Sequence, residues 1–193
     1  MSSALNFGAL FLYISSAPRF VLDFLHLSVN EFYWLFVPAV TGIITGSWVA
    51  GRVSGRFIDA AVLRVGFGII LIACVMNASM NALARRPHLP WAVLPIGLQA
   101  FGIALNQPLL TLLALDRFPR NRGAASSVQG FLALSVNATV SGIVSPLVSL
   151  SPFTLSAAVL AVNAAGFFLW LLSGRSADVV MHHVVGDETS VSE

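Results

Sequence analysis

The chain has 193 residues, of which 57% are hydrophobic and 9% are charged, and its formal net charge is +2. An ordinary soluble domain carries about 25% charged residues, so this composition excludes one. All ten basic residues are arginines, and nine of them lie outside the predicted spans; they do not form one clustered face, which argues against nucleic-acid binding.

The apolar residues fall into six blocks of membrane-spanning length. A transmembrane helix needs about 20 predominantly apolar residues. Each block is predicted to be a helix, because lipid offers no water to an unpaired backbone group. The six predicted spans are about Leu5 to Leu25, Phe32 to Gly51, Val65 to Ala84, Leu89 to Leu115, Ala124 to Leu150, and Pro152 to Ser173. The sequence therefore predicts an all-α membrane protein over residues 1–175, followed by a polar, disordered tail over residues 176–193.

Residues at the ends of these blocks have helix-capping chemistry. Ser28 and Glu31 have the spacing of a capping box before the second span. Ser151 and Pro152 place a hydroxyl at the N-cap and a proline at the first helical position of the sixth span. Gly174 follows the last span, where a glycine is predicted to end the helix.

The arginines are divided unevenly between the two sides of the predicted bundle. Arg19, Arg85 and Arg86 lie on the side opposite the amino terminus, and seven arginines lie on its own side. Cytoplasmic loops carry an excess of basic residues, so both termini are predicted to be cytoplasmic, in an inner membrane. The seven are Arg52, Arg56, Arg64, Arg117, Arg120, Arg122 and Arg175.

Small residues and prolines predict where helices pack and bend. Gly42, Gly46 and Ala50 form one smooth face of the second span, which favours close helix packing. A second small-residue surface at the start of the fifth span is predicted to pack in the same way; it comprises Ala124, Ala125, Ser126, Ser127 and Gly130. Prolines within the blocks predict kinks or functional bends, at Pro18, Pro38, Pro95, Pro108 and Pro146.

Polar side chains at membrane depth are the candidate site residues, because their burial in lipid is costly. The candidates for a substrate cavity are Tyr13, Gln99, Asn106, Gln107 and Asn137. Further amides in the spans are Asn6, Asn77, Asn81 and Gln129. Amides also hydrogen-bond between helices, so cavity lining and helix association both remain open. Asn106 and Gln107 beside Pro108 are the strongest pair, since two amides lie next to a break near mid-helix.

Charged residues within the spans are confined to one possible pair. Arg19 and Asp23 are four residues apart on the first span and are predicted to form an ion pair or a gating contact. An enzyme is not predicted, because Ser141 has no histidine within a span to act as its base. No cofactor or metal is predicted either, since His182 and His183 have no further ligands nearby in the sequence.

Several segments resemble a known family. Phe11 to Pro18, with Phe20 to Asp23 and Trp34 to Pro38, resembles the seventh and eighth helices of Bcr/CflA-type multidrug exporters of the major facilitator superfamily. The segment from Phe118 through Arg120 and Arg122 to Phe131 is similar to the loop between their tenth and eleventh helices. Gly51, Arg52, Gly55 and Arg56 resemble the second copy of the superfamily's cytoplasmic loop motif, although the acidic residue usual in that motif is missing.

The resemblance implies the carboxy-terminal six helices of a twelve-helix drug:proton antiporter, built from 3+3 inverted repeats. The implied partners are the lipid bilayer, a small-molecule substrate, protons and an amino-terminal six-helix half. In the family the main coupling carboxylate belongs to that other half, so this chain alone is expected to be inactive. The alternative is a structural or assembly membrane protein, or the remnant of a truncated gene, that transports nothing.

Overall fold

A computed structural model describes residues 2–25, 28–53, 59–83 and 91–190, all of them in helices and short connecting turns. Its six long helices are α1 (Ser2–Phe24), α2 (Tyr33–Val53), α3 (Asp59–Leu83), α4 (Leu94–Asp116), α5 (Arg122–Val148) and α6 (Pro152–Ser190). Each contains a segment long and apolar enough to cross a membrane. The chain is therefore an all-α, six-span membrane protein, as the sequence predicts.

Three helices have bounds that differ from those of the predicted spans. Helix α3 begins at Asp59 rather than near Val65, because Arg64 lies exposed in its early turns and does not end the helix. Residues 91–93 form a turn, so α4 begins at Leu94, and Pro95 lies in its first turn instead of interrupting it. Helix α6 continues past Gly174 to Ser190, where the sequence predicts a disordered tail. A glycine within a helix costs only about 1 kcal/mol relative to alanine, which is too little to end a long helix.

The predicted caps are confirmed at two helix starts. The Glu31 carboxylate accepts hydrogen bonds of 2.9 Å from both the backbone N–H and the hydroxyl of Ser28, before α2. These bonds hold the pKa of Glu31 below its usual value, and the bond from the backbone N–H has the larger effect. At α6 the Thr154 N–H donates to the Ser151 hydroxyl at 3.1 Å.

The contacts among the first three helices and the last three are related by symmetry. Helices α2 and α3 both pack on α4, whereas α5 and α6 both pack on α1. Across the middle, α1 contacts α4 and α3 contacts α6. Exchanging α1 with α4, α2 with α5, and α3 with α6 reproduces this set of contacts. That is the arrangement expected of two three-helix repeats, which lie inverted because successive spans alternate in direction.

The α2–α4 contact confirms the predicted glycine face. A Cβ on Gly42 would collide with the carbonyl oxygen of Gly97, and one on Gly46 with the carbonyl oxygen of Phe101. Ala50, one further turn along, is also buried. The two backbones can approach this closely only because α2 carries no side chain at these positions.

The second predicted small-residue surface does not pack within this chain, so that prediction is wrong. Of its members only Ala125 is partly buried, and the site of a Gly130 Cβ has no neighbour within 4 Å. Within Arg122–Val148 only Val140 and Ser145 are buried, whereas about half of α1 is buried. Helix α5 departs from the bundle at this end, since it packs mainly on α1 through its second half, around Val136 and Val140.

Candidate functional site

The predicted cavity residues fall into two groups. Tyr13, Gln99 and Asn106 are at most 2% exposed and lie inside the six-helix bundle. Gln107 and Asn137 are half-buried and lie at its edge, where α1, α4 and α5 meet. The five candidates therefore do not share one surface.

Tyr13 belongs to a polar chain between α1 and α3. The Asn77 amide nitrogen donates to the Tyr13 hydroxyl, and the Asn81 amide nitrogen donates to Asn77 Oδ1 at 2.9 Å. The Tyr13 ring also packs edge-on against Phe20, with ring centroids 5.8 Å apart. These contacts satisfy polar groups within the chain and join two helices, which is the helix-association alternative.

Asn106 faces α3 instead of an open cavity. Its amide lies against Gly66, where a Cβ would collide with Asn106 Oδ1. Asn6 of α1 lies in the same way against Gly166 of α6, whose Cβ would be 2.9 Å from Asn6 Oδ1. Neither amide has a hydrogen-bond partner among the described residues. The two glycines precede Phe67 and Phe167, whose ring centroids are 5.3 Å apart, so both amides flank one aromatic contact.

The half-buried group forms a seam of neutral polar side chains, which we call the amide seam: Ser3, Gln107, Thr111, Gln129 and Asn137. The Ser3 hydroxyl donates to Gln107 Oε1 at 3.1 Å, linking α1 to α4. The Gln129 amide nitrogen donates to the Thr111 hydroxyl at 3.2 Å, linking α5 to α4. Asn137 lies beside Gly8, whose Cβ would be 3.6 Å from Asn137 Oδ1.

The amide seam retains hydrogen-bonding capacity. Gln129 Oε1 and Asn137 Oδ1 have no partner among the described residues. Around them, Pro108, Leu112 and Phe131 are exposed and apolar. Both oxygen atoms are themselves buried, so a solute could reach them only after the neighbouring side chains move, and they could then orient a mostly apolar ligand. Gln99 is different, because it is 1% exposed and its Nε2 has no partner among the described residues.

The predicted pair of Arg19 and Asp23 is not formed. Both side chains are exposed, and Arg19 instead donates to the hydroxyl and the carbonyl of Ser149, at 3.3 and 3.4 Å. Ser149 follows the last residue of α5, where unpaired carbonyls attract a cation. Arg19 also begins a π-helical segment, which changes the spacing on which an i, i+4 pair depends.

The described residues of the predicted loop motif lie at the opposite ends of the helices from Arg19, and they are exposed. Arg52 stacks on Trp48 of its own helix, 3.4 Å from the ring centroid, and Gly51 has open space around it. Arg122 forms an ion pair of 2.9 Å with Asp116, and Arg120 is exposed. Gly55 and Arg56 lie outside the described residues.

The sequence did not lead to Asn163, Ser16 or Ser145 as candidate residues. Asn163 is fully buried in α6, where its amide nitrogen donates to Val159 O at 2.9 Å and to Cys74 Sγ at 3.5 Å. A single amide within an otherwise apolar span was a sufficient signal. Ser16 and Ser145 carry no such signal, because serine is common in membrane helices and only the fold shows that these two meet.

The comparisons with known proteins identify the class of protein. No family model matches the chain. It is 30% identical over 149 residues to the uncharacterized MFS-type transporter YdgK of Bacillus subtilis, a match that covers 76% of this chain and 35% of the relative. It is 27% identical over 137 residues to the multidrug transporter MdfA of Yersinia pestis, covering 70% of this chain and 33% of the relative.

A third relative gives the same result. The multidrug transporter MdfA of Escherichia coli is 26% identical over 124 residues, which are 64% of this chain and 30% of the relative. The matched segment is thus about a third of each relative's length. The chain is a multi-pass membrane protein similar to major facilitator superfamily transporters. Because these relatives are transporters, the expectation that it is not an enzyme is confirmed.

Proposed function

We propose that this chain is the carboxy-terminal six-helix half of a Bcr/CflA-type antiporter of the major facilitator superfamily, and that it exports small molecules in exchange for protons together with an amino-terminal half. Its similarity to transporters over 76% of its residues carries the proposal. The resemblance of its loop segments to Bcr/CflA-type exporters supports the narrower subgroup.

The surface of α5 supports a second half as partner. No residue of Arg122–Thr139, all of which the structure describes, is buried. Gly123 and Gly130 lie seven residues apart on one face of the helix, and a Cβ on either would have no neighbour within 4 Å. Small residues let membrane helices approach closely, whereas a lipid-facing surface gains nothing from them. We therefore assign this face of α5 to contact with the other half.

The amide seam supports the substrate side of the proposal. It lies at the junction of α1, α4 and α5, next to the weakly packed face of α5, and it has two unused acceptors. In the assembled transporter these groups would face the space between the halves, where substrates bind near the midplane. Gln107, Gln129 and Asn137 are the residues we assign to substrate contact.

Proton coupling is assigned to the other half. Among the described membrane-spanning residues, the acidic side chains of Asp23 and Asp116 are exposed and lie near helix ends. A group that binds a proton during transport must lie at membrane depth.

The arginine asymmetry is the basis of the proposed orientation, in which the chain lies in the inner membrane with both termini in the cytoplasm. Reporter fusions after Asn121 on the inside and Ser28 on the outside test it.

The experiment is co-reconstitution with the amino-terminal six helices of YdgK. Vesicles with an imposed proton gradient contain either the chain alone or both pieces, and they are followed with a fluorescent lipophilic dye. We expect co-purification of the two pieces, and gradient-driven accumulation only when both are present. Accumulation by the chain alone would refute the half-transporter proposal. Co-purification without accumulation would favour the non-transporting assembly protein.

Two variants make the interface test specific. Gly130→Leu and Gly68→Leu both add a side chain where the structure has no neighbour within 4 Å, so neither is expected to disturb the six-helix fold. Gly130→Leu lies on the proposed interface and is expected to abolish co-purification. Gly68→Leu lies on α3, away from that face, and is expected to retain it. Equal effects would remove α5 as the contact surface.

A further inference from the structure

Two helices leave the α-helical conformation at the same level of the bundle. Within α1, Arg19–Phe24 form a π-helical segment, and within α5, Val140–Val144 form another. Both lie toward the ends of their helices on the side where α1 connects to α2. Single π-helical turns inside membrane helices are rare and occur frequently at functional sites.

Proline accounts for the position of the α5 segment. In α5 the Ser145 N–H bonds to Val140 O, five residues back, and Pro146 follows directly. Proline has no N–H and its ring collides with the carbonyl four residues earlier, which the wider turn relieves. In α1 the last turn of the segment closes with the Leu25 N–H donating to Phe20 O at 3.1 Å; Pro18 directly precedes this segment, but its ring opposes the carbonyl of Ile14 and does not explain the wider turn.

The two segments are joined by two polar contacts. The hydroxyls of Ser16 and Ser145 are 2.9 Å apart and buried between the helices. One turn further along, the Arg19 guanidinium donates to the Ser149 hydroxyl at 3.3 Å and to its carbonyl at 3.4 Å. The second contact is long and only partly buried, so it is weak. We call these two contacts the serine latch.

We propose that the serine latch holds the ends of α1 and α5 together in one state of the transport cycle and opens in the other, with Ser16, Ser145 and Arg19 as positioning residues. The proposal rests on the transport function proposed above. A π-helical segment can give up its extra residue and become α-helical, which rotates every residue beyond it relative to the rest of the helix. Ser145 and Ser149 lie just beyond the α5 segment, so such a change there would separate Ser145 from Ser16 and Ser149 from Arg19.

Packing makes α5 the helix that moves. Phe20 and Val21 of the α1 segment are at most 1% exposed, and Phe20 packs on Tyr13, so that segment is anchored in the bundle. In the α5 segment only Val140 is buried, while Ile143 is 62% exposed. Rearranging the α5 segment therefore disrupts fewer contacts within this chain.

Cysteine cross-linking tests the latch. The only cysteine of the chain, Cys74, is buried and can be replaced by alanine to give a clean background. Hydroxyls 2.9 Å apart place the two β-carbons near the separation that a disulfide requires. Ser16→Cys with Ser145→Cys is therefore expected to cross-link on mild oxidation of the full chain in vesicles. Ile14→Cys with Leu147→Cys is the control pair. Each position is exposed and lies two residues from Ser16 or Ser145, on the opposite face of its helix, so this pair is not expected to cross-link.

Transport measurements then separate the latch from the proposed function. In the assembled transporter, oxidation of the Ser16→Cys, Ser145→Cys pair is expected to lower dye accumulation at least tenfold, and reductant is expected to restore it. A merely structural contact would cross-link without this reversible loss, and that result would overturn the latch while leaving the transport function intact. Failure of the pair to cross-link in the chain alone would overturn the latch whatever the transport result. Absence of dye accumulation before oxidation, with the cross-link formed, would instead refute the transport function on which the latch depends.

Discussion

Replacing Gly42 by alanine tests the packing of α2 most directly. A Cβ at this position would collide with the Gly97 carbonyl oxygen and would lie 3.0 Å from the Phe101 nitrogen, both of which are backbone atoms that cannot rotate away. Helix α2 must therefore move off α4, and α4 is the main helix on which it packs. Separations of 0.5–1 Å forfeit about a quarter to a half of each dispersion contact across the interface.

Gly68→Ala in α3 is the matched control. It makes the same chemical change in the middle of a helix, but a Cβ there has no neighbour within 4 Å. Both variants gain the same helix propensity, about 1 kcal/mol, so the difference between them isolates the packing cost. We expect Gly42→Ala to be less stable than Gly68→Ala by about 1–3 kcal/mol, the usual cost of overpacking.

The assay is reversible unfolding in mixed micelles, followed by the fluorescence of the four tryptophans. Both variants are compared with the parent chain under one detergent composition, so that the free energies of unfolding refer to the same unfolded state. Equal stabilities of Gly42→Ala and Gly68→Ala would refute the close approach of α2 to α4.

Three further predictions use side chains whose partners are defined. Tyr13→Phe removes the acceptor of the Asn77 amide and is expected to lower the free energy of unfolding by about 1 kcal/mol in the same assay, an effect that a preceding Asn77→Leu should largely abolish. Asp116→Asn breaks the ion pair with Arg122, whose two side chains are 62% and 61% exposed, so the free energy of unfolding at physiological salt should change by less than about 1 kcal/mol. A larger loss would contradict the weak contribution expected of an exposed pair. Carbon NMR titration should place the pKa of Glu31 below that of a model glutamate. The contribution of Glu31 to stability is then present above the ordinary pKa and is lost as the pH falls through the lowered pKa. An unshifted titration would contradict the cap.

The number and type of the helices could be predicted from the sequence, because lipid allows a long apolar block no other conformation. The glycine face of α2 was also predictable, since Gly42 and Gly46 recur at the four-residue spacing of one helix face. Their partner was not. The backbone of α4 at Gly97 and Phe101 carries no signal that distinguishes it from other apolar helix surfaces.

The polar residues were found by sequence, but their surroundings were not. Tyr13 and Gln107 are equally conspicuous as polar groups in apolar spans, yet one is bonded to Asn77 inside the bundle and the other lies on the amide seam. Rotation of a helix by about 100° per residue decides between the two outcomes, and that rotation is set by packing. The Arg19 contact was missed for a related reason, because the π-helical segment alters the spacing assumed for an α-helix.

The two repeats have different mechanical properties although their contacts match. Helices α2 and α5 occupy equivalent places, each packed on the first helix of the opposite repeat. Glycines of α2 face α4 at backbone contact, whereas Gly123, Gly130 and Gly142 of α5 face open space. Helix α5 is held by side-chain contacts around Gly8, by one hydrogen bond from Gln129 and by the serine latch. Rearrangement within these six helices therefore costs least at α5, which also carries one of the two π-helical segments and the exposed small-residue face. In the transporter proposed above, the closely packed α2–α4 pair would be the part that stays rigid and α5 the part that moves.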